Sequence, residues 1–277
     1  MDEPLGGTAS TIRHWLLIEH TGPWGRDGLL DARLPDGLGL RLRDLERRTE
    51  ARVLLIRRVD RARELEIACF AVDTAEAWLG RTGLTAIEEG GSLDPRARDA
   101  FRTTNGPLIV VCTHGRRDPC CAERGRPLAQ ATASTFPDAT WESTHVGGDR
   151  FAANLVAFPH GLYFGHVSPG EAPEIVRAYA DGRIAALHRY RGRSSDPFHV
   201  QAAEATLRAR LGLDRIDDVR RKDARRSGNR AVVTFATPSG RREVRLQRTF
   251  GTPMRLTCHA ELEEAPQIWQ ALKIVRV

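Results

Sequence analysis

The stretch VVCTHGRRDPCCAERG, residues 110–125, carries the main structural and chemical signal of this chain. It starts in an apolar run, which predicts a buried strand that ends at Cys112. After an eight-residue loop the chain reaches Cys121, at the predicted start of a helix. Free N–H groups at a helix N-terminus and three neighbouring arginines favour the thiolate form of a cysteine. The segment therefore predicts metal or redox chemistry where the strand meets the helix.

A second segment, STHVGGDRFAAN at 143–154, supplies further candidate ligands. His145 and Asp149 are separated by three residues, two of which are glycines, and such a backbone can wrap closely around a bulky inorganic group. Together with Cys112 and Cys121 they form the predicted metal site. Zinc is a competing occupant, but zinc-binding cysteines are usually separated by about two to four residues, and the gap between Cys112 and Cys121 is wider.

The apolar runs on either side of these segments predict two α/β units. The first contains a helix over 38–49 and strands in IRHWLLIEH (12–20), ARVLLIRR (51–58) and ELEIACFAVD (64–73). The second contains the strand before Cys112, a helix over 122–136, strands in ANLVAFPHG (153–161) and LYFGHVS (162–168), and a capped helix in PGEAPEIVRAYADGRI (169–184). Both units follow a strand, helix, strand order, which is compatible with a structural duplication.

The remainder of the chain predicts an appendage with a small core of its own. VQAAEATLRARLGL (200–213) is typical of a helix that ends at a glycine. RRKDARRSGNR (220–230) predicts a charged, solvated loop, and RAVVTFATPSGRREVRLQRT (230–249) predicts a hairpin with a Pro-Ser-Gly turn. An acidic protein partner could dock on the charged loop.

The length of the chain, 277 residues, is that of about two domains. Its composition is that of a soluble protein, because 41% of its residues are hydrophobic and 28% are charged. No apolar stretch is long enough to span a bilayer, and the N-terminus has no apolar signal region, so we expect a cytoplasmic protein. Five cysteines, three of them clustered, are too few for a secreted disulfide framework. The net charge of +6 comes from arginines interleaved with acids, so nucleic-acid binding is not expected.

The block from Cys112 to Gly165, together with WLLIEHTGPWG (15–25), resembles the sucrase/ferredoxin-like family. The resemblance covers nearly the whole chain and is most specific over residues 105–170. It implies an α/β fold with two thioredoxin-like units, the second a thioredoxin-like ferredoxin domain, plus a small C-terminal α+β extension. The predicted boundaries are 1–104 for a divergent thioredoxin-like domain, 105–195 for the ferredoxin domain, and 196–277 for a C-terminal helix and hairpin extension.

The resemblance also implies a cofactor, a [2Fe-2S] cluster, and most of its ligands. Fungal members carry a cysteine, eight residues, a second cysteine, and later two histidines in an H-V-G-G-H context. On that pattern Cys112 and Cys121 match the thiolate ligands and His145 matches the first imidazole. Asp149 stands where the family has the second histidine and is the predicted fourth ligand. The alternatives are a ligand from elsewhere, such as Cys120, His114 or Cys258, and loss of the cluster with retention of the fold.

The predicted function is that of a soluble [2Fe-2S] electron-transfer protein, rather than a catalyst with its own substrate, which exchanges electrons with redox partner proteins. Two alternatives belong to other classes. A metal-free thiol oxidoreductase would use Cys112 or Cys121 directly, although the chain lacks the C-x-x-C pair of thioredoxin-type enzymes. A binding module without a cluster would keep only the fold. Glycosidase activity is not expected, because no pair of carboxylates has a suitable spacing.

Overall fold

The apolar runs of the chain form one large mixed sheet in the computed structural model, which describes residues 3–60, 67–83 and 91–277. Within these ranges the sheet contains ten strands: β1 His14–Glu19, β2 Arg52–Arg58, β3 Ala68–Asp73, β4 Trp78–Gly83, β5 Arg102–Thr103, β6 Leu108–Cys112, β7 Thr140–Ser143, β8 Leu155–Phe158, β9 Leu162–Phe164 and β10 Tyr190–Arg193. Their spatial order is β10-β9-β8-β6-β7-β2-β1-β3-β4-β5. The mixed α/β class predicted from the sequence is confirmed.

The two halves of this sheet repeat the same strand order. In the first half β1 pairs in parallel with β2 and antiparallel with β3, and β3 pairs antiparallel with β4. In the second half β6 pairs in parallel with β7 and antiparallel with β8, and β8 pairs antiparallel with β9. A helix connects the parallel pair in each half, α1 (Leu38–Thr49) in the first and α2 (Pro119–Thr135) in the second. The strand-helix-strand order of both segments therefore builds matching half-sheets.

The halves meet where β2 pairs antiparallel with β7. At this seam Arg57 lies opposite Glu142, and the Arg57 Nε atom donates a hydrogen bond of 2.6 Å to a Glu142 carboxylate oxygen. Both side chains are buried, so the ion pair is sheltered from water and from screening by salt. Pairing of β2 with β7 also removes two open strand edges, which could otherwise form a sheet with other chains.

Alternate residues along the strands face two different layers. On one face, Trp15 of β1 packs edge-on against Phe158 of β8 with ring centroids 5.3 Å apart, so this core is shared between the two halves. On the other face the helices cover the sheet. Leu42 of α1 packs with β1 and β2, and Leu128 of α2 packs with β6 and α3 (Ala172–Ala180). Burial of each such side chain contributes about 1.5–3 kcal/mol, which holds the helices in place.

Residues after the large sheet form a helix and a second sheet. The helix α4 (Phe198–Leu211) packs on an antiparallel sheet with the strands β11 Arg220–Ser227, β12 Arg230–Thr237, β13 Gly240–Phe250 and β14 Gln267–Arg276. Val200 and Leu207 of the helix share a buried cluster with Phe235 and Trp269 of the sheet. The predicted hairpin corresponds to β12 and β13.

The prediction of a solvated loop over 220–230 is wrong, because most of this run is the edge strand β11. Nearly all of its side chains are exposed, so it lacks the apolar alternation that identifies a half-buried strand. Its order comes from hydrogen bonds to β12, and its charges protect an open sheet edge from other chains. The predicted strand over 64–73 corresponds to β3 from residue 68 onward, and residues 64–66 lie outside the described part.

The predicted domain boundaries at 104/105 and 195/196 remain predictions. They fall between β5 and β6 and between β10 and α4, and the first of them divides a sheet that is continuous across the seam. Among the helices of the described residues, none has the length and apolar character required to cross a membrane.

Candidate metal centre

Cys112 and Cys121 lie at the two ends of the loop that connects β6 to α2. Cys112 is the last residue of β6, and Cys121 is in the first turn of α2, which begins with Pro119. The helix approaches the strand closely at Gly125, where a Cβ atom would overlap with the carbonyl oxygen of Cys112. Both cysteines are 1% exposed. The short loop and the close helix contact thus bring the two sulfurs together inside the protein.

His145 joins this pair from the loop after β7. Its Nδ1 atom lies 3.8 Å from the Cys121 Sγ atom and 3.5 Å from an oxygen of Asp118, the residue that precedes α2. The candidate ligand atoms of Cys112, Cys121 and His145 all lie within 4.8 Å of one another. The structure therefore brings together three of the four residues predicted from the sequence, although their role as ligands stays a prediction.

The two thiols form an asymmetric pair. Cys121 hydrogen-bonds to Cys112 and, with help from His145, lowers the pKa of Cys112 well below its usual range against the opposing effect of burial. The same contact and burial raise the pKa of Cys121. Burial alone would lower the pKa of His145, but the hydrogen bond and the charge of Cys112 raise it. The contact between the two thiols thus shifts their pKa values in opposite directions, and the lowered pKa falls on Cys112, beside His145.

The loop from His145 to Asp149 turns through two glycines in left-handed conformations, Gly147 at φ +96° and Gly148 at φ +74°. A Cβ atom at Gly148 would overlap with the guanidinium of Arg191, so glycine is needed both for backbone conformation and for space. Arg191 is 1% exposed and donates to the Asn154 side-chain oxygen at 2.7 Å and to the Gly147 carbonyl at 3.4 Å. This buried arginine fixes the loop that carries the predicted ligands.

Asp149 lies at the edge of the Cys112, Cys121 and His145 group. One of its carboxylate oxygens is within 4.8 Å of the ligand atoms of His145 and Asp118. Burial and the neighbouring charge of Asp149 raise the pKa of Asp118. Asp149 also belongs to a second group, with Cys120 and Cys258, whose ligand atoms are again within 4.8 Å of one another. It thus connects two candidate ligand clusters.

Cys258, which follows β13 in the chain, reaches the site from the second sheet. Its Sγ atom is 2.8 Å from that of Cys120, and its backbone N–H donates to an Asp149 oxygen at 2.8 Å. The next residue, His259, donates from Nε2 to the Arg117 carbonyl at 2.8 Å. All five cysteines of the chain are free thiols, and four of them lie at this centre.

His114 supports the site from behind. Its Nε2–H donates to the Gly25 carbonyl at 2.7 Å, so its Nδ1 atom is an acceptor and receives the His145 backbone N–H at 3.2 Å. Burial lowers the pKa of His114 and favours this neutral form. His114 therefore links the first half of the molecule to the loop of His145. Its single N–H proton is donated to the Gly25 carbonyl, and its other ring nitrogen accepts the His145 N–H.

Sequence reasoning missed Arg191 and the importance of the connection that carries Cys258. Arg191 gave no signal, because arginine is abundant throughout the chain and burial cannot be read from a single letter. The adjacent Cys258 and His259 are a visible signal, but they lie more than a hundred residues from Asp149 and Arg117 in sequence. Only the fold brings them to the site.

The arrangement offers two chemistries. Two buried sulfurs and an imidazole are soft and borderline donors that suit iron-sulfur clusters and zinc. Without a metal, a low-pKa thiolate beside a second thiol is a candidate redox pair.

The sequence profile of the family described as sucrase/ferredoxin-like matches residues 5–192, which include Cys112, Cys121, His145 and Asp149. The chain belongs to the sucrase/ferredoxin-like family, as the sequence resemblance predicted. The matched residues also include both halves of the large sheet.

Two individual proteins are similar to parts of the chain. A stretch of 96 residues is 31% identical to "Altered inheritance of mitochondria protein 32" of Meyerozyma guilliermondii and covers 31% of this chain and 34% of that protein. The chain thus spans about a third of the length of the curated relative that it matches. A cysteine-to-serine variant of the thioredoxin-like [2Fe-2S] ferredoxin from Aquifex aeolicus is 23% identical, with a TM-score of 0.26, over 29% of this chain and 94% of the ferredoxin.

Proposed function

We propose that the protein is a [2Fe-2S] electron-transfer protein whose cluster is bound by Cys112, Cys121, His145 and a fourth residue. The observation that carries this proposal is the group formed by these three side chains, with ligand atoms within 4.8 Å of one another at one end of the second half-sheet. The proposal also agrees with membership of the sucrase/ferredoxin-like family. When bound, the cluster supplies the one-electron chemistry, and the protein supplies its ligands and surroundings.

The donor set fits such a cluster. Thiolates are its usual ligands, and an imidazole can replace one of them. Hydrogen bonds lower the pKa of Cys112, which favours the thiolate form that a cluster binds. The two cysteines are buried while the His145 side chain is 21% exposed, so the thiolate side is shielded from water and the imidazole side is accessible. The family resemblance predicts Asp149 as the fourth ligand, and Cys120 and Cys258 lie beside it.

The fold proposal is that each half of the large sheet is a thioredoxin-like unit. The support for it is the shared order of a parallel pair bridged by a helix and two antiparallel strands. On this proposal the second unit, residues 105–195, is the ferredoxin domain. The first unit keeps the framework and supports the site through the contact between Gly25 and His114.

We also propose that redox partner proteins dock near His145. A cavity of about 730 Å³ adjoins this residue and is lined by five arginines and three acids, so a partner with an acidic face would be attracted to it. Its lining includes Arg117 and His114, which both contact the centre. A cytoplasmic location remains a prediction that belongs with this proposal.

A metal-free thiol oxidoreductase is the second candidate function. The lowered pKa of Cys112 beside the Cys121 thiol favours it, because a thiolate is the attacking group in thiol–disulfide exchange. The eight-residue gap and the deep burial of both sulfurs oppose it, because exchange requires access to the attacking sulfur.

Purification of the full chain without oxygen separates these functions. We expect coloured protein with visible absorption from thiolate-to-iron charge transfer, and with two irons and two inorganic sulfides per chain, as the cluster formula requires. Zinc in place of iron, or colourless protein without either metal, would reject the electron-transfer proposal. Colourless protein that forms a reversible disulfide between Cys112 and Cys121 would support the oxidoreductase instead.

A further inference from the structure

The connection between β13 and β14, residues 251–266, is long for a hairpin, since most hairpin loops have about two to five residues. Its arms pair near the base, where the Gly251 N–H donates to the Pro266 carbonyl at 2.9 Å and the Met254 N–H donates to the Glu264 carbonyl at 3.1 Å. The tip then reaches across to the metal centre. Long ordered loops in a compact protein usually have a functional role.

The tip is fixed at the centre by backbone as well as side-chain contacts. The Cys258 N–H donates to the Asp149 Oδ2 atom at 2.8 Å, and the His259 ring donates to the Arg117 carbonyl at 2.8 Å. These two bonds place the Cys258 sulfur beside the Cys120 sulfur, 2.8 Å away. A thiol therefore lies beside Asp149, the residue predicted as the fourth ligand.

The Asp149 carboxylate contacts the connection between β13 and β14. Its Oδ2 atom accepts the N–H of Cys258, so the carboxylate orients the connection. As a ligand, an oxygen of Asp149 would be a harder and less usual partner for a cluster than sulfur. These observations fit an arrangement in which Asp149 positions the connection and Cys258 binds the cluster.

Cys120 competes less well for the fourth position. It is adjacent to Cys121 in α2, and neighbouring side chains on a helix diverge by about 100°. With Cys121 directed at Cys112, the helix holds the Cys120 sulfur apart from that pair, beside the Cys258 sulfur, and its thiol donates to the Asp149 carbonyl oxygen at 3.6 Å. The Cys258 sulfur lies at the same place, but Cys258 is not held by a helix, and its backbone N–H is bound by the Asp149 carboxylate.

We propose that Cys258 is the fourth protein ligand of the cluster and that Asp149 is the residue that positions it, an inference that rests on the proposed function. The centre then has three thiolates and one imidazole. Exchange of an aspartate ligand for a cysteine ligand leaves the net charge of the centre the same, so net charge does not distinguish the two assignments. Variants of individual ligands do.

Four forms of the full chain, purified in parallel without oxygen, test the inference: wild type, Cys258→Ser, Asp149→Asn and Cys120→Ser. We expect Cys258→Ser to lose iron and sulfide more than about tenfold, or to keep them with a clearly altered visible spectrum. We expect Asp149→Asn to retain the cluster, because the amide oxygen still accepts the Cys258 N–H but carries no charge. Cys120→Ser should retain the wild-type spectrum.

A fifth form, Cys258→His, separates a ligand from a residue with only a structural role. If Cys258 binds iron, the new imidazole takes its place, and pulsed electron paramagnetic resonance of the reduced protein should detect a second coordinated nitrogen. The reduction potential should also rise, since a neutral ligand replaces an anionic one. If Cys258 has only a structural role, the spectrum of Cys258→His should show a single coordinated nitrogen.

The possible failures are distinguishable. If the wild-type protein contains no iron and sulfide, the proposed function itself is rejected. Iron-loaded wild type with an unchanged Cys258→Ser spectrum overturns only the present inference, as does a disulfide between Cys120 and Cys258 in iron-loaded protein. Cluster loss in Asp149→Asn with an unchanged Cys258→Ser assigns the ligand to Asp149. If both variants lose iron, the nitrogen count of Cys258→His decides, and a single nitrogen overturns the inference.

Discussion

The two halves of the large sheet share a strand order but differ in what their loops carry. In the second half, Cys112 ends β6 and His145 follows β7, and the two side chains converge. In the first half, Glu19 ends β1, and Asp60 is the second residue after β2, as His145 is after β7; neither is a cysteine or a histidine. The one cysteine before residue 105 is Cys69, which lies within β3, where burial raises its pKa to about 12.

The comparison teaches that the framework and the chemistry are separable in this fold. The same order of strands and helix provides a rigid base in both halves, and the loops that follow the parallel strands decide whether a site forms. The first half has kept a supporting function, because its Gly25 carbonyl orients His114 and thereby the loop of His145. Changes in matching positions of the two halves should therefore have different consequences.

The largest expected difference is between cysteines. Cys112→Ser and Cys121→Ser should each lower the iron content of the purified protein by more than about tenfold, because each removes a proposed thiolate ligand. The matched control is Cys69→Ala, which removes a thiol of the first half and should leave iron and sulfide per folded chain unchanged. Iron content that is equal in all three variants would contradict the assignment of the site to the second half.

The seam between the halves should be the next most sensitive place. Glu142→Gln removes the carboxylate that faces the buried Arg57 guanidinium, and we expect the free energy of unfolding to fall by about 3 kcal/mol. The matched control is Asp44→Asn in α1, where the ion pair with Arg48 is exposed and the loss should be below about 0.5 kcal/mol. Urea unfolding of both variants measures the difference, and equal losses would show that the seam ion pair is not shielded.

Glycines in the two connecting helices offer a finer comparison. Gly125 of α2 and Gly39 of α1 each lie against a backbone carbonyl, that of Cys112 and that of Leu29, with no room for a Cβ atom. Gly125→Ala and Gly39→Ala should both reduce the free energy of unfolding, by about 1–3 kcal/mol. Only Gly125→Ala should also reduce the iron bound per folded chain, because it pushes Cys121 away from Cys112. Circular dichroism in urea gives the first quantity and iron analysis of folded protein gives the second; iron loss in both variants would contradict the comparison.

Much of the framework could be predicted from local sequence, because local sequence determines it. The apolar run before Cys112 gives β6, and the run LGLRLRDLERRT gives α1 with buried residues on one face. The spacing of Cys112, Cys121 and His145 pointed to residues that the fold does bring together. These features need only the periodicity of a helix or strand and the ends of those elements.

The features that escaped prediction depend on distant parts of the chain. The pairing of β2 with β7 joins residues more than eighty positions apart, and no local pattern specifies such a register. The strand β11 is charged on both faces, so alternation could not reveal it. The contact of Cys258 with Asp149 is of the same kind, since it needs the second sheet to be in place before the connection can reach the centre.

The last comparison concerns one carboxylate in each half and its behaviour in acid. In the first half, burial would raise the pKa of Asp73, but hydrogen bonds from Arg13 and Arg98 lower it to about 2. In the second half, burial and the charge of Asp149 raise the pKa of Asp118. The first carboxylate is thus stabilised as an anion, whereas the second is placed in a site that opposes its charge.

A lowered pKa in the folded state means that Asp73 stabilises the protein above its ordinary value of 3.8 and that this contribution disappears as the pH falls towards about 2. Asp73→Asn should therefore lower the free energy of unfolding by about 2 kcal/mol near neutral pH. It should also flatten the dependence of that free energy on pH between about 4 and 2, where wild-type Asp73 takes up its proton. Urea unfolding at a series of pH values measures both quantities. A variant with the wild-type slope in this window would show that the arginines do not hold Asp73 as an anion, and the contrast between the carboxylates of the two halves would then be lost.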